Sequence, residues 1–294
     1  MPNILLLGKF GQLGWELHRC LAPFGDLTAV DYPEIDLTDI ESVDKLVLDI
    51  RPDVIVNATA YTAVDRAEDE PELAMAINSQ APRRLAELAH DMGLALIHYS
   101  TDYVFDGTKG IPYVETDLPN PLGIYGKSKY AGEIAIEEVG GAYLILRTSW
   151  VYSLRRDSFV TKVLGWAREH MSLRIVDDQI SNPTWCRMLA EATAMLLTNA
   201  GSKPAGWIKE RYGLYHLAGS GYASRLEWAR KILEFDPRSD EQIVEEIHPA
   251  QTSDFPSPTE RPMFSVLNCD RFSKTFGFQI PHWEDALKLA MEDF

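Results

Sequence analysis

Short, largely apolar runs alternate with longer amphipathic stretches through the first half of the chain. The runs lie at residues 4–7, 27–31, 53–57, 95–99 and 143–147. Ile4 to Leu7, four apolar residues in a row, predicts a strand buried on both faces, and the other runs read as further strands. Between them the spacing becomes helical. Leu13, Leu17 and Leu21 share one helical face, and Asp36-Leu37-Thr38-Asp39 offers capping residues before a helix over about 40–50. Residues 72–92 read as helical with a kink or break near Pro82, and a helix opens at Tyr125 and runs to about Glu138, where Gly140-Gly141 stops it. Strands alternating with helices predict right-handed βαβ units and an α/β fold, a doubly wound parallel sheet covered on both sides.

After Trp150 the pattern becomes irregular. Helices are expected over 158–169, 185–198, 224–234 and 283–292, with short strands at 173–176 and 213–217. The strand at 213–217 could rejoin the main sheet. Residues 236–262 are acidic, rich in Pro and Ser, and read mostly as loop. The expected organisation is therefore a first domain over 1–149, rejoined by elements near 185–234, and a smaller interleaved lobe over 150–294.

Composition narrows the function. The 294 residues are 46% hydrophobic, enough for a packed core, and carry a net charge of −16. So acidic a chain lacks the basic face of a nucleic-acid or anionic-membrane binder, so neither partner is expected. Three scattered cysteines, Cys20, Cys186 and Cys269, match no disulfide framework and no zinc spacing, which fits the cytoplasm. The seven histidines show no paired ligand spacing, so no metal site is expected from them. The N-terminal apolar run is too short for a signal peptide and lacks a basic leader, and no stretch is long enough to span a membrane.

The chemistry concentrates in three places. Gly8, Gly11 and Gly14 follow a strand and open a helix, the context in which a glycine loop cradles a dinucleotide pyrophosphate. Asp31, ending the second strand, is placed to accept hydrogen bonds from an adenosine ribose; no Arg follows it, which favours NADH over NADPH. Thr101 ends the fourth strand, while Tyr125 and Lys129 lie one turn apart on the next long helix. A hydroxyl, a phenol and an ammonium at one point suit protonation of a carbonyl oxygen while a cofactor delivers hydride. Lys129 is expected to lower the Tyr125 pKa, and Thr101 to bond the developing oxyanion. His98, inside an apolar strand, reads as a core histidine.

These blocks together resemble the dTDP-4-dehydrorhamnose reductases, members of the extended short-chain dehydrogenase/reductase superfamily with a Rossmann-type sheet. The resemblance rests on GKFGQLG (8–14), NATAYTAVDRAE (57–68), HYSTDYVFDG (98–107), YGKSK (125–129) and RTSWVY (147–152), with Asp178-Gln179, Pro183-Thr184 and Arg261-Pro262 further on. It implies reduction of the C4 ketone of dTDP-4-dehydro-β-L-rhamnose by NADH or NADPH, the last step of dTDP-L-rhamnose synthesis. It implies Thr101, Tyr125 and Lys129 as the catalytic set. Gly11, Gln12 and Leu13 would hold the pyrophosphate, with Asp31, Asp36 and Leu37 at the adenosine half and Ala60, Tyr61 and Thr62 along the cofactor. Thr101, Asp102 and Trp150 would touch the sugar. Arg261, an arginine in a late loop of an acidic chain, is a candidate for the substrate diphosphate. Some members are dimers with Mg2+ held by interface glutamates. Glu16 and Glu292 are the counterparts here, but Arg187 stands where another glutamate is needed, and a cation disfavours a divalent metal there. No metal site is expected, and a homodimer stays open. Two alternatives remain: a reductase of another 4-keto nucleotide sugar, and a non-catalytic cofactor-binding subunit like the regulatory β-subunit of methionine adenosyltransferase. The complete Thr101/Tyr125/Lys129 set favours turnover over the second.

Overall fold

The computed structural model describes residues 1–292. In chain order, β1 (Asn3–Leu7), α1 (Gln12–Leu21), β2 (Asp26–Val30), α2 (Ile40–Ile50), β3 (Val54–Asn57), α3 (Ala81–Met92), β4 (Ala95–Thr101), α4 (Ile124–Val139) and β5 (Ala142–Thr148) build the first half. The second half adds α5 (Phe159–Glu169), β6 (Ser172–Val176), α6 (Cys186–Ala200), β7 (Gly213–His216), α7 (Arg225–Glu234), β8 (Glu246–Ala250) and α8 (Trp283–Glu292).

Six strands form one parallel sheet in the order β7-β5-β4-β3-β1-β2. The apolar runs explain this sheet residue by residue. Ile4, Leu6, Val56 and Ile97 point into one core layer with α1 and α6, while Leu5, Leu7, Ile55 and Leu96 point into the other with α2 and α3. Side chains alternate along a strand, so only a run apolar at every position can feed both layers. Succession along the chain runs one way from β1 to β2 and the other way through β3, β4 and β5. The reversal opens a crevice at the carboxyl ends of β1 and β3, where open α/β sheets bind ligands.

The strand at 213–216 does rejoin the main sheet, pairing parallel with β5. Two local expectations change. The helical stretch over 72–92 is not broken at Pro82. Pro71–Met75 runs through a π-helical segment, Ala76–Gln80, directly into α3. Pro82 follows directly on the π-helical turn, whose altered hydrogen-bond pattern takes up the N–H that proline lacks. Within the expected loop at 236–262, β8 pairs parallel with β6 in a separate two-stranded sheet. Its sequence, Glu-Ile-His-Pro-Ala, hides the strand, because a two-stranded sheet is all edge and tolerates both charge and proline. No helix among the described residues is long and apolar enough to cross a membrane.

Candidate active site

The glycine loop is built by necessity. Gly8 has φ +94°, a backbone a side chain resists. A Cβ on Gly14 would lie 1.7 Å from the Gly8 carbonyl oxygen, so α1 packs onto the turn only because residue 14 has none. Gly11 is the N-cap of α1 and no side chain caps it. The amides of Gln12 and Leu13 therefore face outward with the positive end of the helix dipole behind them. The Gln12 side-chain oxygen is buried without a hydrogen-bond partner. An uncapped helix start and a close-packed glycine turn, which leave backbone N–H donors free, fit a dinucleotide pyrophosphate. Beside it, the Asp31 carboxylate accepts from the Phe10 and Tyr32 backbone N–H groups, each at 2.8 Å. Lys9 is held by Glu34 at 2.6 Å.

A cavity of about 460 Å³ starts at this loop and runs across the ends of β3 and β4. It brings together Gly8, Gly11, Gln12, Leu13, Asp31, Ala60, Thr62, Thr101, Asp102, Tyr125, Lys129 and Trp150, all singled out in the sequence. Asp36, Leu37 and Tyr61 do not line it. Leu37 is buried in the core, and the Asp36 carboxylate accepts from the Thr38 hydroxyl at 2.7 Å. Tyr61 donates its hydroxyl to Glu70 at 2.6 Å.

At the reacting centre the Tyr125 phenol and the Thr101 hydroxyl stand together in the cavity. Burial raises the phenol above its ordinary pKa, Thr101 opposing and Asp102 and Tyr103 adding to the rise. Lys129 lines the same cavity but is not among the groups that shift Tyr125. Its ammonium position is turned to the Tyr99 carbonyl, 2.6 Å away, and to His98 Nε2 at 3.2 Å. Burial pushes Lys129 down to about 8, with Glu133 opposing. The physical reason is that α4 packs on β4, so the lysine stem meets the strand backbone before it reaches the phenol.

Asp102 is almost fully buried. Its carboxylate accepts from Ser265 at 2.5 Å, Ser181 at 3.2 Å, Ser149 at 3.3 Å and Thr101 at 3.2 Å. Burial raises its pKa and these four hydroxyls oppose the rise. This nest ties the end of β4 to the second lobe. Trp150, at the unusual φ of +40°, stacks on Trp228 with ring centres 5.5 Å apart.

A second cavity of about 870 Å³ adjoins the first. Lys162, Arg174, Arg225 and Arg261 line it against two acids, Asp65 and Glu260, a lining richer in cations than the acidic chain as a whole. Arg261 is held by Asp65 at 2.9 Å, Arg174 by Asp254 at 2.6 Å and Lys162 by Asp157 at 3.3 Å. Arg225 has no carboxylate partner among the described residues. Its guanidinium lies 3.6 Å from the centre of the Trp150 ring, and it lines both cavities. Burial lowers its pKa to about 10, Tyr103 opposing and Arg261 adding to the fall. The sequence offered no signal for Arg225, which stands at the start of a late helix outside any motif. One turn along α1 from Gln12, Glu16 sits half-buried near Arg187, Arg19, Arg155 and Glu191. Among the described residues no three His, Cys, Asp or Glu side chains converge as a metal-ligand group.

The fold and the cleft agree with what the chain is similar to. Residues 2–294 match the model of the RmlD substrate binding domain. dTDP-4-dehydrorhamnose reductase of Escherichia coli strain K12 is 40% identical, over 99% of this chain and 97% of that protein. The enzyme of the same name from Salmonella typhimurium is 41% identical with the same coverage. The crystal structure of dTDP-4-dehydrorhamnose reductase from Bacillus anthracis in complex with NADP is 33% identical, covers 100% of this chain and 99% of its own, and superposes with a TM-score of 0.90. With a family model over nearly its whole length and such relatives at full coverage, the chain belongs to the RmlD family, that of the dTDP-4-dehydrorhamnose reductases.

Proposed function

We infer that this chain reduces the C4 ketone of dTDP-4-dehydro-β-L-rhamnose to dTDP-β-L-rhamnose, the last step of dTDP-rhamnose synthesis, with NADH or NADPH as reductant. One observation carries the reading: a proton donor, Tyr125 beside Thr101, stands where a dinucleotide cradle meets an arginine-lined cavity, and Arg225 lines both.

The roles follow from the chemistry of each group. The nicotinamide cofactor supplies the hydride. Gly8, Gly11, Gln12 and Leu13 hold its pyrophosphate; Asp31 takes the adenosine ribose, and Ala60 and Thr62 flank the path toward the nicotinamide. Tyr125 gives its proton to the ketone oxygen as hydride arrives, and Thr101 bonds the same oxygen. Trp150 walls the sugar. Arg225 and Arg261 hold the diphosphate, for which charged, forked donors are well suited. Asp102 acts on the sugar side by fixing β4 to the second lobe through its four hydroxyl partners. Residues 1–149 form the dinucleotide-binding domain, and 150–294 mainly the substrate lobe. We read the enzyme as cytoplasmic, in keeping with three free cysteines, and the homodimer as its oligomeric alternative to a monomer.

The test is direct. Purified protein is mixed with dTDP-4-dehydrorhamnose, with NADH and NADPH in parallel, and loss of reduced cofactor is followed. Stoichiometric oxidation with formation of dTDP-rhamnose is expected. Absence of oxidation with both cofactors removes the reading.

A further inference from the structure

Tyr125 stands in the first turn of α4, and helices fray from their ends. Nothing in that turn caps it. The N-cap is Gly123, which has no side chain to close a cap, and the turn contains no acid. The first amide is met instead from 56 residues back in the chain, where the Glu68 carboxylate accepts from the Ile124 backbone N–H at 2.8 Å. A carboxylate in that place also faces the positive end of the helix dipole. Gly123 makes the approach possible. A Cβ on it would lie 2.7 Å from Glu68 Oε1 and 2.5 Å from Thr259 Cγ2, so a side chain there would push both away.

Glu68 ends a short 3-10 turn, Arg66–Glu68, and the two residues before that turn are gripped from the second lobe. The Val64 carbonyl accepts from the Thr259 hydroxyl at 3.1 Å. The Asp65 carboxylate accepts from the Ser257 hydroxyl at 2.7 Å and from Arg261 at 2.9 and 3.0 Å. Asp65, Ser257, Thr259 and Arg261 line the larger cavity, whereas Glu68 lines neither cavity. Any effect of Glu68 on the reaction therefore runs through the start of α4.

We propose that Glu68 is a positioning residue that caps α4 from outside and thereby places the Tyr125 phenol, and that the loop at 257–261 keeps Glu68 there by holding Val64 and Asp65. Ile124 directly precedes Tyr125, so the capped peptide fixes the backbone that aims the phenol. A reacting group misplaced by about 1 Å loses about 10²-fold in rate, so a proton donor in a fraying turn needs such a hold. The effect on turnover rests on the proposed reductase reading; the cap does not.

The experiment compares the parent with Glu68→Leu, which removes the accepting oxygen, and Glu68→Gln, which keeps one. Amide hydrogen exchange is followed at Ile124 in the cofactor-free protein, and turnover is followed with dTDP-4-dehydrorhamnose and NADH. In Glu68→Leu, Ile124 should exchange about tenfold faster or more, with the middle of α4 unchanged. The same variant should lose about 10- to 100-fold in kcat, with KM for the sugar and Kd for NADH within about threefold of the parent. Glu68→Gln should restore both exchange and kcat to within about threefold, since its amide oxygen still accepts. Glu68→Asp, whose carboxylate is drawn back by one methylene, should behave as Glu68→Leu does, and it carries the test if the leucine variant does not fold. Thr259→Val frees the Val64 carbonyl and should speed exchange at Ile124 about threefold. Unchanged exchange at Ile124 in the leucine and aspartate variants overturns the proposal. So does a loss spread over all of α4 and over KM, the mark of general destabilisation, or a kcat that stays intact while Ile124 is exposed. Unchanged exchange in Thr259→Val overturns the part given to the loop. The exchange readout needs no substrate, so failure of the reductase reading shows separately, as absent turnover in the parent.

Discussion

Tyr125 and Arg225 carry the chemistry at the scale of single residues, and they were legible to different degrees. Tyr125 stands in a local pattern, one turn before Lys129 on a helix that follows a strand ending in Thr101. Local spacing cannot say where the lysine points, and the packing of α4 on β4 sends it to the Tyr99 carbonyl instead of the phenol. Removing the phenol hydroxyl should therefore cost proton transfer without disturbing the lysine. Tyr125→Phe is expected to lower kcat by about 10²- to 10⁴-fold while cofactor binding, read by quenching of tryptophan fluorescence, stays unchanged. Turnover that survives intact would take Tyr125 out of the mechanism. Arg225 has no such pattern; only the fold shows it without a carboxylate partner beside Trp150 and between two cavities. Arg225→Met keeps the stem and drops the charge. It should raise KM for the nucleotide sugar by about 10- to 100-fold, the worth of a charge-assisted hydrogen bond of roughly 1.5–3 kcal/mol, and change kcat less. An unchanged KM would place the diphosphate elsewhere.

At the scale of elements, the sequence was informative wherever a segment's environment repeats along it. Strands buried on both faces read as largely apolar runs, and the glycine loop read as strand, turn and helix. What stayed hidden was joined across long separations. The hydroxyl nest around Asp102 draws on Ser149, Ser181 and Ser265, and His98 read as core without its partners Asn57 and Lys129. The β8 strand was hidden for another reason, its edge position permitting a polar sequence. The joint between α4 and β5 belongs to the same long-range class. Glu133 and Arg147 are both buried and meet through two bonds, at 2.9 and 2.6 Å. Cutting away one partner leaves an uncompensated charge in the interior. Glu133→Ala should destabilise the fold by about 3–5 kcal/mol in urea denaturation. Replacing both by apolar residues of similar volume should recover most of that loss, which separates the cost of an orphaned charge from the cost of lost packing. A single variant as stable as the parent would mean that water reaches this joint.

For the whole molecule, the buried lysine sets a pH dependence that can be signed. Lys129 has an ordinary pKa of 10.5 and stands at about 8 in the fold. Below pH 8 both folded and unfolded chains carry its proton, and the fold bears the full cost of enclosing the charge. That cost is about 3 kcal/mol for a gap of two to three units. As pH rises from 8 toward 10.5 the folded protein gives up the proton first. The unfolded chain then binds more protons, so this residue's contribution to stability rises with pH through that window and levels off above it. Other groups titrate there too, the buried tyrosines among them, so the raw stability of the protein does not isolate the effect. A comparison with Lys129→Met does, because most of those contributions are common to both proteins and the lost hydrogen bonds add only a constant offset. Relative to the parent, Lys129→Met should be at its most stable below pH 8. Its advantage should then shrink by about 3 kcal/mol by pH 10.5, measured by urea denaturation at stepped pH. A difference that is flat across the window would mean that Lys129 titrates as an exposed lysine. One that grows with pH would mean that the fold stabilises the ammonium. Either result would contradict a lysine whose burial holds it below its ordinary pKa.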